Sequence, residues 1–75
     1  MKIYEETTLK DFDFWMGARA FADRLNNDEW EILELYFDEA YPEGIANTDL
    51  NDIFWFDQEM LLEIINVTEK EFWDR

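Results

Sequence analysis

Apolar residues recur at intervals of three and four along most of the chain, in blocks short enough for several small helices. Leu9, Phe12, Trp15, Met16, Ala22 and Leu25 lie near that spacing, and Thr8 with Asp11 resembles a capping box with Asp in place of Glu or Gln. The pattern predicts a helix from Thr8 to about Leu25. Gly17 falls in its middle, at a cost of about 1 kcal/mol relative to Ala. With Ala18 and Ala20 beside it, this glycine marks either the close approach of another helix or a kink.

Asn26 or Asn27 is expected to cap a second helix, with Glu29 at the capping-box distance from Asn26. Trp30, Leu33, Phe37 and Ala40 supply its apolar stripe, supported by Ile32 and Tyr36. Tyr41-Pro42-Glu43-Gly44 ends it, because proline cannot continue the ladder and glycine accepts a left-handed conformation. Thr48 is placed as the cap of a short third helix holding Leu50, Ile53 and Phe54. Ile53-Phe54-Trp55-Phe56 suits a strand equally well, since β-branched and aromatic residues favour one. Asp57 is expected to cap the next helix, with Met60, Leu61, Ile64 and Ile65 inward, and Thr68 with Glu71 opens a last turn through Phe72 and Trp73. Lys2 to Glu5 has no second strand to pair with and reads as an extended arm. Without repeat or linker, residues 1–75 are expected to form one acidic all-α domain of four to five short helices with an extended N-terminal arm.

Charge changes this picture from a fold into a surface. Twenty residues are Asp or Glu against six Lys or Arg, a net charge of −14. Solubility asks only for a magnitude of about 2 to 8 in a small domain, and the excess costs stability through self-repulsion. An acidic chain poor in aromatics would stay disordered. Seven Phe, four Trp and three Tyr argue instead for a core that holds the carboxylates on a rigid exterior. Such an exterior suits a basic protein partner and repels nucleic acid and anionic membranes as direct ligands.

With no Cys and no His, disulfides, thiolate or imidazole zinc sites and nucleophiles activated by either residue are excluded. No apolar run approaches the ~20 residues of a bilayer span. MKIYEETT lacks the basic-then-apolar form of a secretory signal. The expectation is a soluble cytoplasmic protein with no cofactor and no metal.

The strongest candidate surface is on the second helix. Glu31, Glu34 and Asp38 share a face, flanked by Asp28, Glu29 and Glu39. Residues so spaced stand about 5–6 Å apart at Cβ, similar to phosphates along a nucleic-acid strand. Glu34 and Asp38 are also like charges at i,i+4, at a cost of a few tenths of a kcal/mol. The bland alternative is a solvated acidic face. A second group, Asp49, Asp52, Asp57 and Glu59 with Asn51, surrounds the rings of residues 54–56. A short helix cannot bury three consecutive rings on one side. Trp55 is therefore either a partly exposed interface anchor or packed against a neighbouring helix.

Other chemistry fails on its own terms. Residues 61–72 have the rhythm of a helix-turn-helix, but the second helix is mostly acidic where a DNA reader needs basic or amide side chains. Asn47, Asp49 and Asn51 alternate like the start of a calcium loop, yet Asp52 stands where its glycine belongs and Gln58 where its glutamate belongs. Acid–base work by paired carboxylates needs a pocket that drives two pKa values apart, and a domain this small has little room for one. Among the cations, Lys10, Arg19 and Arg24 are expected on the first helix, with Arg19 and Asp23 an i,i+4 pair. Lys2, Lys70 and Arg75 lie near the termini, so Glu29 to Glu63 carries no positive charge.

MKIYEETTLKDFDFW at the start, and YPEG followed by TDLNDIFWFDQE in the middle, resemble small acidic proteins carried by phages and conjugative elements of gut Firmicutes. The resemblance implies a mobile-element origin and supplies no catalytic residues. By analogy of size, charge and origin it points to anti-CRISPR or anti-restriction inhibitors that mimic nucleic acid. The expected partner is then a basic nucleic-acid-binding protein, a CRISPR effector before a restriction enzyme, and the chain is expected not to be an enzyme. An antitoxin-like or regulatory module that binds through its aromatic surface is the alternative.

Overall fold

Five helices form among the described residues of the computed structural model, which are 8–75, and no strand. They are α1 (Gly17–Ala22), α2 (Asn27–Ala40), α3 (Asn47–Phe56), α4 (Gln58–Ile65) and α5 (Glu69–Trp73). The architecture is the expected all-α bundle; the arm expected at Lys2 to Glu5 lies outside the described residues.

The longest helix is also the one with the clearest local signals. Asn26 Oδ1 accepts from the Glu29 N–H at 2.9 Å, and Glu29 Oε1 accepts from the Asn26 N–H at 3.0 Å, a complete capping box. Trp30, Leu33 and Phe37 turn inward, while Ile32 and Ala40 of the expected apolar stripe are exposed. The helix closes at Tyr41, whose carbonyl accepts from the Gly44 N–H at 2.9 Å. Gly44 takes a φ of 103°, which explains glycine at this turn.

The first predicted helix is corrected. The Thr8 hydroxyl does accept from the Asp11 N–H, at 3.3 Å, but the turn it caps does not propagate. Phe12 and Phe14 are buried, whereas Asp11, Asp13, Trp15 and Met16 are exposed. Residues two apart do not share a helix face, so burying both rings excludes a helix; the chain instead makes a tight turn in which the Phe14 N–H donates to the Phe12 carbonyl at 3.1 Å. Asn51 secures that conformation by accepting the Trp15 N–H at 3.0 Å. Met16, with φ 56° and ψ −134°, then turns the chain into α1. Helix α1 therefore begins at Gly17, and Trp15 and Met16 leave the buried face expected of them. Ala18 and Phe21 join Ala22 on that face.

Gly17 resolves in favour of close approach. Any Cβ there would collide with the Trp55 ring, so its lack of a side chain lets α1 and α3 pack together. Helix α3 starts one residue before Thr48, which is a further correction. Ala46 is the cap position; it is extended, makes no side-chain bond, and its carbonyl accepts from the Leu50 N–H at 3.0 Å. Residues 53–56 continue as helix rather than strand. Asp57 stands at the N-cap of α4 as expected but makes no side-chain cap bond. Leu61, Leu62 and Ile65 are the buried residues of α4, with Met60 and Ile64 packed at the core's edge. Asn66 ends the helix in the left-handed region, φ 59°, and Thr68 caps α5 through the Glu71 N–H at 3.2 Å.

Phe54 is the centre of the aromatic core. Its ring lies 4.4 Å from Phe14, 5.9 Å from Trp30 and from Phe37, and 6.0 Å from Phe21, which in turn stacks on Phe72 at 4.6 Å. These contacts join the segment before α1 and helices α1, α2, α3 and α5 in one cluster. Rings of about 150–250 Å² each do here what disulfides do in many chains of this length.

Candidate functional site

Burial of the Trp30, Leu33 and Phe37 stripe decides which α2 carboxylates face water. Asp28, Glu31, Asp38 and Glu39 are exposed, with Ile32 and Leu35 exposed among them. Fourteen residues at 1.5 Å each make a rod of about 21 Å, anchored through its core stripe. The outward carboxylates are thus held at fixed intervals along a rigid support, with two apolar side chains between them.

Glu29 and Glu34 differ from that group. Glu29 is 5% exposed, because it lies four residues before Leu33 and so continues the buried stripe. Its carboxylate receives both guanidinium nitrogens of Arg75, with Nη1 to Oε1 at 2.7 Å, and the same Nη1 reaches the Arg24 carbonyl at 2.9 Å. The Arg75 hydrogen bonds hold the Glu29 pKa below the usual glutamate range, aided by the Asn26 N–H and opposed by burial. Glu29 correspondingly raises the Arg75 pKa. Arg75 also lies 4.9 Å above the Phe72 ring. This pair ties the end of α5 to the start of α2, so Glu29, expected on the binding face, is a structural carboxylate. Glu34 is half-buried and accepts the Leu9 N–H at 3.1 Å, holding the turn at residues 9–11 against α2. Of the three carboxylates expected to form one face, Glu31 and Asp38 are fully on the exterior.

In the second candidate group, Asp49, Asp52, Asp57 and Glu59 are all exposed. Asn51 is fully buried and serves the backbone of Trp15. Trp55 is half-buried against Gly17, the packing alternative, and its neighbour Phe56 is the ring left outside, 70% exposed.

Among the described residues, Lys10, Arg19, Arg24 and Arg75 engage groups other than those in the middle of α2. Lys10 precedes α1 rather than belonging to it, and its Nζ donates to Asn27 Oδ1 at 2.7 Å. Arg19 lies 3.5 Å from Asp13 and 3.8 Å from Asp23. Arg24 follows α1, sits 5.1 Å above the Trp73 ring and donates to the Phe72 carbonyl at 3.4 Å. Lys10 and Arg75 meet α2 only in its first turn.

Two features escaped the sequence reading. The Glu29–Arg75 pair joins residues far apart in sequence, although the spacing Glu29, Leu33, Phe37 already marks Glu29 as inward. The exposure of Phe56 follows from Trp55 docking on Gly17, which no local pattern encodes. Among the described residues, no group of three or more acidic side chains is arranged to hold a metal ion, and no helix is long and apolar enough to cross a membrane. No protein-family model, curated protein or solved structure matches the chain.

Proposed function

We propose that this protein is a non-enzymatic inhibitor that occupies a basic nucleic-acid-binding surface of a host defence protein. A CRISPR effector is the first target class and a restriction enzyme the second. The observation that carries the reading is the exposure of Asp28, Glu31, Asp38 and Glu39 along one rigid helix, in a stretch of chain without a cation. Asp28 and Glu31 stand about 5–6 Å apart at Cβ, and Asp38 and Glu39 follow about two turns, or about 10 Å, further along the helix, an array of negative charge on the scale to which an Arg- and Lys-lined groove is fitted. Their rigidity lowers the entropy lost on binding. Self-repulsion from a net charge of −14 weakens the free protein and is relieved when a basic groove covers it.

The test is capture from a bacterial lysate on immobilised protein, with and without nuclease treatment, followed by titration of the captured complex with salt. Mimicry requires capture of a nucleic-acid-binding protein that survives nuclease, and an affinity that falls steeply between low and high salt. The second reading is a regulatory or antitoxin-like module that binds through apolar surface, and the exposed Phe56 favours it. A captured partner with no nucleic-acid site and a flat salt response would select that reading.

A further inference from the structure

Phe56 is the last residue of α3, and its ring stacks on Trp55 at 4.9 Å and 11° between planes. Trp55 is in turn seated on Gly17 of α1. The Gln58 side-chain amide donates to the Phe54 carbonyl at 3.0 Å and the Gly17 carbonyl at 3.5 Å, tying the end of α3 to the start of α1. An exposed aromatic face is thus held on a fixed support, with the exposed Met16 just before Gly17. Asp49, Asp52 and Phe56 follow at spacings of three and four and share one side of α3, and Asp57 and Glu59 continue the negative charge beyond it.

The charge decides what can cover this ring. A second copy would bring a further −14, and an anionic membrane would be repelled. A cation above an aromatic face is attracted by the ring's quadrupole, and a carboxylate one helical turn away neutralises the same cation. Guanidinium meets both demands better than ammonium, because its flat, weakly hydrated plane stacks while its edge donates to a carboxylate. We propose that Phe56 and Asp52 form an arginine-binding site, in which an Arg of a basic protein partner lies on the Phe56 ring and hydrogen-bonds to Asp52. The inference rests on the reading that the partner is a basic protein. It adds that one contact selects arginine over lysine, which charge mimicry by α2 does not do.

The probes are two unstructured peptides of equal length and charge, alternating Arg with Gly and Lys with Gly, titrated against the whole protein by calorimetry. The Arg peptide should bind about tenfold more tightly. Phe56→Leu should reduce that preference to near unity with little change in Tm, while Phe56→Tyr should keep it. Asp52→Asn should weaken the Arg peptide more than the Lys peptide. Equal affinity of the two peptides for the unaltered protein, or a preference that survives Phe56→Leu, would overturn the site. Reversing the outward charges of α2 serves as the separating control. It should weaken both peptides without removing the preference, so failure of α2 mimicry and failure of the Phe56 site give different results.

Discussion

Glu29 and Glu31 stand two residues apart on the same helix and meet opposite surroundings. Glu29 is buried, closes the capping box and grips Arg75, so it holds α2 to the end of α5. Glu31 faces water, as do Asp28, Asp38 and Glu39. Glu34 lies between the two conditions, half-buried and bonded to the Leu9 backbone. Net charge alone would count all six as binding surface. The structure buries or half-buries two of them in contacts that hold the fold and leaves the other four exposed at the surface. A mimic needs both: the inward pair makes the helix rigid, and the outward set gives that rigidity something to present.

Removing the inward carboxylate should have the largest effect. Glu29→Gln keeps an acceptor for the Asn26 N–H but loses the charge opposite Arg75. Breaking a fully buried pair costs about 3–5 kcal/mol; Arg75 can turn toward water, so about 2–3 kcal/mol is expected here. Denaturant unfolding should show this loss, while Glu31→Gln stays within about 0.5 kcal/mol of the parent.

The same pair predicts a pH dependence. Arg75 depresses the folded-state pKa of Glu29, so its stabilisation is fully present above the unfolded glutamate value of about 4.3 and is lost as pH falls through the folded value. The stability gap between parent and Glu29→Gln should therefore close on acidification from neutral pH to below 4.3. Taking the difference between the two proteins cancels the general relief of repulsion as other carboxylates protonate. A gap independent of pH would mean that the pair contributes nothing through charge.

Glu34→Ala should cost less, about 1–2 kcal/mol, by leaving the Leu9 N–H without its acceptor. The outward face should show the smallest effect. Replacing Glu31 and Glu39 with Lys should leave stability unchanged or raise it by a few tenths of a kcal/mol, through relief of like-charge crowding around Glu31 and a cation in the last turn of α2. A large loss of stability in that double variant would erase the distinction between the two groups.

How much of this was legible depended on whether each signal was local. The capping box at Asn26 and Glu29, the stop at residues 41–44 and the Thr68 cap of the last helix are complete within a few residues, and all three formed. Thr8 and Asp11 offered nearly the same signal, yet no helix followed. There, Phe14 meets Phe54 across the core and Phe12 packs edge-on against Phe14, burial of both rings that one helical face could not give. Trp55 and Phe56 illustrate the same limit, since which ring stays outside depends on the distant glycine under Trp55. The site was legible as charge and illegible as availability: Glu29 could be placed inward only by weighing its spacing from Leu33 above its type.

The central claim is that the outward carboxylates of α2 take the place of phosphates. Its most direct test is competition for the captured partner between this protein and that partner's own nucleic acid. The measurement compares the parent with a variant in which Asp28, Glu31, Asp38 and Glu39 are all Lys and Glu29 and Glu34 are untouched. The account predicts that the parent displaces the nucleic acid in a salt-sensitive manner, and that the variant, with its helix content intact, does not. Displacement by the folded variant at the parent's affinity would contradict it.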